Sequence, residues 1–98
     1  MSKPLIFSRR AIAQLDALAD VAAQYSANGR TNLLAAVADK TQLIEQQPEM
    51  YALAPLLPGL RRCVVTPNVS LYYRIGPAAV EVVGVVDARR DPSTLGLT

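Results

Sequence analysis

The chain has 98 residues, a formal net charge of +2, no histidine and one cysteine, Cys63. Its hydrophobic share of 51% is enough for one domain with its own core and too high for wholesale disorder. Without histidine there can be no Ser–His–Asp or Cys–His arrangement, and a lone cysteine excludes an internal disulfide and the usual zinc sites, so neither metal nor cofactor is expected.

Leu5-Ile6-Phe7 reads as a short strand, and Ser8 as a helix N-cap whose hydroxyl accepts from a free backbone N–H. A helix is predicted from Arg9 to about Tyr25, with Ile12, Leu15, Leu18, Ala22 and Tyr25 on its apolar face. Asn28-Gly29 reads as a stop and turn, and a second helix is expected from near Thr31, with Leu33, Leu34, Val37, Thr41 and Ile44 facing inward. Pro48 should end it at or just before Gln47, because proline disfavours helical geometry in the preceding residue. The two segments form an antiparallel helical hairpin. Residues 48–59 hold three prolines and Gly59, a loop whose Met50, Leu53, Leu56 and Leu57 should pack on the core.

Strand signals follow over Leu60–Thr66, Val69–Ile75 and Val80–Val86, separated by Pro67-Asn68 and Gly76-Pro77. Such short turns require an antiparallel meander. The last strand is apolar on both sides except at Glu81 and Gly84, which suits a central strand with both faces covered. The expected fold class is therefore α+β: an N-terminal strand and an antiparallel helical hairpin packed on a C-terminal antiparallel β-meander, in the order β-α-α-β-β-β, as one domain over residues 1–98. No apolar run approaches the ~18 residues of a membrane span, and Met1–Leu5 turns polar too soon for a signal peptide. With a single cysteine, a reducing, cytoplasmic setting is expected.

Charge is balanced over residues 1–58, so the positive excess lies in the last forty and is all arginine: Arg61, Arg62, Arg74, Arg89 and Arg90 against Glu81, Asp87 and Asp91. Arginine suits bidentate contact with phosphates or carboxylates, so the partner is a nucleic acid or an acidic protein segment, unless these side chains only solvate a sheet edge. Arg61 and Arg62 point to opposite faces of a strand and read either as an anion clamp or as a charged strand start. Tyr73 falls on the core face with Val69 and Leu71. Tyr72 shares its face with Ser70 and Arg74, where it could stack on a base, meet a partner or simply carry a solvated hydroxyl. Arg89 and Arg90 either form a wall of a basic groove with Arg61 or Arg62, or pair with Asp87 and Asp91 in solvent. Cys63 reads as a small buried hydrophobe. The glycines at 29, 59, 76, 84 and 96 are scattered, so there is no Gly-rich phosphate loop, and any catalysis would fall to Arg, Tyr, Lys, Asp or Glu.

Four segments in order, LIFSRRAIAQLDALADVAAQY, LIEQQPEM, GLRRCVVTPNVSLYYRI and VEVVGVVDARRDP, resemble the RelE/ParE toxin superfamily over about residues 4–92. The resemblance implies a bacterial toxin neutralised by an antitoxin encoded beside it. RelE-like members are ribosome-dependent mRNA endoribonucleases, and ParE-like members poison DNA gyrase. The ribonucleases set basic residues and a late tyrosine or histidine around the scissile phosphate. In this chain Arg61, Arg62, Arg89 and Arg90 could stabilise charge, but Ser70 falls near an expected arginine and neither tyrosine nor histidine follows Tyr73. The resemblance therefore favours the ParE-like branch. The partners it implies are an antitoxin and DNA gyrase, or alternatively the ribosome and mRNA. Target or antitoxin binding is expected at Arg61, Arg62, Tyr72, Arg74, Arg89 and Arg90.

Overall fold

A computed structural model describes residues 3–88. Its elements are β1 (Leu5–Phe7), α1 (Arg9–Tyr25), α2 (Gly29–Gln46), β2 (Arg61–Thr66), β3 (Val69–Ile75) and β4 (Val80–Asp87). One sheet holds the strands in the order β1-β4-β3-β2. The last three strands form the expected antiparallel meander, and β1 lies parallel to β4. The sheet is therefore mixed, and the helical hairpin covers one face of it.

Ser8 joins the two layers. Its backbone N–H donates to the Val82 carbonyl at 2.9 Å, and its hydroxyl accepts from the Ala11 N–H at 3.0 Å. The cap that starts α1 thus also fixes where α1 leaves the sheet. The apolar face of α1 differs from the predicted stripe. Ala11 and Ala19 are fully buried with Leu15 and Leu18 packed beside them, whereas Ile12 is 56% exposed and Tyr25 is 86% exposed. The helix is rotated from the predicted stripe: Ala11 and Ala19 face inward, where a small side chain permits close approach to β4.

The second helix begins at Gly29 with Asn28 as its N-cap, two residues earlier than the predicted Thr31 start. The cause is packing. A Cβ on Gly29 would lie 2.0 Å from the carbonyl oxygen of Ala22, so α1 and α2 cross at a point only glycine can occupy. Glycine here opens a helix instead of closing one. Leu33, Val37, Thr41 and Ile44 are buried as expected, while Leu34 sits at the exposed margin. The helix ends at Gln46, before Pro48.

Two bulges set which side chains face the helices. Tyr73 pairs with Val82 but Tyr72 pairs with Gly84, so Val83 has no cross-strand partner. The shift places Val80, Val82 and Val85 in the main core with Leu71, Tyr73, Cys63 and Val65. On the opposite face Tyr72 and Val86 form a second small core with Ala54, Leu57 and Leu60. The 48–60 loop reaches that face because Ala54 N–H donates to the Leu60 carbonyl at 2.7 Å and Arg62 N–H to the Ala52 carbonyl at 3.1 Å. Gly59 takes a φ of +78°, the left-handed geometry this turn needs. Leu57 is buried, worth about 1.5–3 kcal/mol. Both faces of β4 are therefore covered, as its valine run predicted.

Candidate partner-binding surface

The β2–β3 hairpin separates the two adjacent arginines. Arg61 lies opposite Tyr73 on the helix side, and Arg62 opposite Tyr72 on the outer side. Arg61 is not a free anion clamp. Its Nη1 donates to the Tyr51 carbonyl at 2.7 Å and to the Glu49 carbonyl at 3.4 Å. Tyr73 Oη donates to the Pro48 carbonyl at 2.6 Å. Together the two side chains fasten residues 48–51 to the sheet.

Arg62 is exposed, and its Nε donates to the Ser70 hydroxyl at 3.3 Å. Arg74 shares the outer face and pairs with Glu81, Nη2 to Oε1 at 2.6 Å and Nε to the same oxygen at 2.9 Å. Between them, Tyr72 is only 2% exposed. This corrects the expectation of a solvated strand tyrosine. The loop leucines cover its ring, because an outer sheet face that presents Tyr72 and Val86 has apolar area to remove from water. The outer face thus carries Arg62 on β2, across from Tyr72, and Arg74 two residues along β3, next to an apolar plug. The basic groove expected between Arg61 or Arg62 and the late arginines involves Arg89 and Arg90, which lie outside the described residues.

Titration behaviour bears on chemistry. Burial, together with Cys63 beside it, pushes Tyr51 up to about 12. Burial also raises the Tyr73 phenol and the Cys63 thiol. All three move away from neutrality, so each holds its proton more tightly at pH 7 than a free side chain would. Among the described residues no group of three metal-ligating side chains comes together. No helix of the described residues is long and apolar enough to cross a membrane.

The sequence does not disclose the roles of Tyr51 and Ser70. The only sequence signal for Tyr51 was the apolar content of its loop, which pointed to packing and not to a partner for Cys63. For Ser70 the strand's alternation gives its face, shared with Tyr72 and Arg74, but not its hydrogen bond from Arg62.

The family model described as ParE toxin of type II toxin-antitoxin system, parDE, matches residues 5–92. The chain belongs to the ParE toxin family. A comparison with curated proteins finds no match. Solved structures place the same fold in related toxins. The chromosomal ParDE toxin–antitoxin system of P. aeruginosa contains a chain with 21% identity and a TM-score of 0.71, covering 88% of this chain and 96% of that one. The E. coli toxin RelE, as a double arginine-to-alanine mutant in the free state, gives 19% identity and 0.62, covering 91% and 86%. A copper-bound mutant toxin from Helicobacter pylori gives 18% and 0.55, covering 90% and 96%. This ParE-family chain therefore sits within the RelE/ParE superfamily, as the four sequence segments implied.

Proposed function

We propose that this ParE-family toxin acts by binding DNA gyrase, without cutting RNA, and that an antitoxin neutralises it by binding the toxin directly. One observation carries the reading. The middle of the outer sheet face, where Arg62, Ser70, Tyr72 and Arg74 converge, is filled by Leu57 and Leu60 packed on Tyr72, not by a polar cleft. Cleaving a phosphodiester needs a base for the 2′-OH, an acid for the leaving oxygen and freely available cations. Here Arg61 is held by loop carbonyls, Arg74 by Glu81, and Tyr51 and Tyr73 by burial. What this side of the chain does present is Arg62 together with the exposed loop leucines Leu53 and Leu56, a combination suited to docking a protein with carboxylates at its rim. The ParDE system of P. aeruginosa, similar in fold, supports the antitoxin part of the reading.

Inducible expression in a bacterial host tests it. The expected result is growth arrest with a DNA-damage response and intact messages, relieved by co-expressing the antitoxin. Codon-positioned mRNA cuts appearing before any DNA-damage response would reject the gyrase reading.

A further inference from the structure

The outer side of the helical hairpin, turned away from the sheet, carries a shallow groove of about 390 Å³. Ile12, Ala13 and Leu15 of α1 and Leu34 of α2 line it, together with Arg9 and Asp16. Ile12 and Leu34 are both exposed there. Along α1, Arg9, Ile12, Ala13 and Asp16 recur at helical spacing and so share one face, with the arginine at one end and the aspartate at the other. Neither end is balanced within the chain. Arg9 forms no ion pair among the described residues. It also stands at the positive end of the α1 dipole, whose first turn holds no acidic side chain. At the other end one guanidinium, that of Arg30, is shared by Asp16 at 2.7 Å and Asp20 at 2.8 Å, which leaves one carboxylate charge in excess. The bond to Asp16 engages Oδ1, so Oδ2 is left to accept from a second cation.

We infer that this face of α1 is a self-association surface, on which two copies of the chain pair their α1 helices antiparallel about a two-fold axis. The pattern is its own complement. Arg9 and Asp16 lie about 10.5 Å apart along the helix axis, and the midpoint between them falls at Ile12 and Ala13. A two-fold there sets Arg9 of each copy beside Asp16 of the other, and Ile12 of each against Ala13 of the other. A parallel pair would instead oppose like charges. The alanine lets the helices approach, so each Ile12 enters the groove of the other copy beside Leu34. Asp16 of the second copy also brings to the α1 N-terminus the carboxylate that its own first turn lacks. A foreign partner would need the same apolar knob between an acid and a base at the same spacing, and the chain itself supplies it. The surface is small and its ion pairs are exposed, so the dimer is weak and forms at micromolar concentrations or above. With the helices between the two sheets, both outer sheet faces and their Arg62 stay open. The inference therefore goes beyond the gyrase reading and does not depend on it.

Sedimentation equilibrium of the purified full chain, from about 1 μM to about 1 mM, tests it. The expected result is a monomer–dimer equilibrium that weakens as salt rises. Ile12→Glu, at an exposed position, should sediment as a monomer throughout, with its fold checked by circular dichroism. Arg9→Asp and Asp16→Arg should each weaken the homodimer by about tenfold or more, because each sets like charges against one another. Mixed in equal amounts, these two variants should recover dimerisation to within a few-fold of the unaltered chain, since every pair across the two-fold is then acid against base. A chain that stays monomeric at about 1 mM overturns the inference. A dimer untouched by Ile12→Glu, or not recovered by mixing the charge variants, lies on another face and overturns it as well. Loss of antitoxin binding in Ile12→Glu, where the unaltered toxin alone is monomeric, would assign the face to the antitoxin and also overturn it.

Discussion

Arg61 and Tyr51 are joined by a 2.7 Å hydrogen bond from the guanidinium to a backbone carbonyl, across a loop that also receives the Tyr73 hydroxyl at Pro48. A charged donor on a partly buried carbonyl is worth about 1.5–3 kcal/mol, so Arg61→Ala should lose stability of that order in urea unfolding. Arg62→Ala should stay within about 0.5 kcal/mol, because its side chain is exposed and has one long hydrogen bond. The same pair should behave in reverse in binding, with Arg62→Ala weakening partner affinity at unchanged stability. Equal stability losses for both substitutions would show that the two arginines are not divided in this way.

The second core makes a separate prediction. Leu57→Ala and Tyr72→Ala should each cost several kcal/mol, about 2–5 for the leucine and about 3–5 for the tyrosine. Their double mutant should cost less than the sum, because both side chains belong to one cluster. Strict additivity in equilibrium unfolding would mean that the loop does not pack on the sheet as described.

Gly29→Ala should be destabilising by about 1–3 kcal/mol despite alanine's better helix propensity. The added methyl meets the Ala22 carbonyl, a backbone atom that cannot step aside without moving α1. A thermal melt at or above that of the unaltered chain would contradict the close helix crossing.

Stability should fall at alkaline pH. Tyr51, Tyr73 and Cys63 all hold their protons more tightly folded than unfolded, chiefly because burial disfavours the anion. A group raised in this way contributes fully below its unfolded value and loses that contribution as pH rises through its folded one. The loss should therefore begin near the ordinary thiol value of 9.0 and, for Tyr51, run from 10.0 to about 12. Unfolding temperature followed against pH should be level from neutrality to about 9 and then drop. In the same experiment Cys63 should resist a thiol reagent until the chain unfolds, since its thiol is buried.

Much of the fold could be read from periodicity because its elements obey local rules. Ser8 caps, Pro48 stops, and the meander strands alternate or run apolar according to how many faces they bury. The exceptions arise where tertiary contact overrides local signal. Gly29 looks like a terminator until the neighbouring helix is present, and Ile12 looks like core until Ala11 and Ala19 are seen to face the sheet. The parallel pairing of β1 with β4 has no local signature, because three residues carry no register. The candidate site was less legible for the same reason. Arg61 and Arg62 are indistinguishable as letters, and only the strand's alternation, together with a loop from ten residues upstream, gives one to structure and leaves the other on the surface. Tyr72 reads as half-polar, and its burial depends on leucines that the sequence assigns only to a loop.

Action on DNA gyrase is the proposal on which the function of this ParE-family chain rests. Purified toxin mixed with purified gyrase in a DNA supercoiling assay tests it most directly, with Arg62→Ala and added antitoxin as controls. The expected result is inhibition by the toxin, weaker inhibition by Arg62→Ala and full relief by the antitoxin. Unaltered supercoiling at an excess of toxin that arrests growth in cells would contradict it.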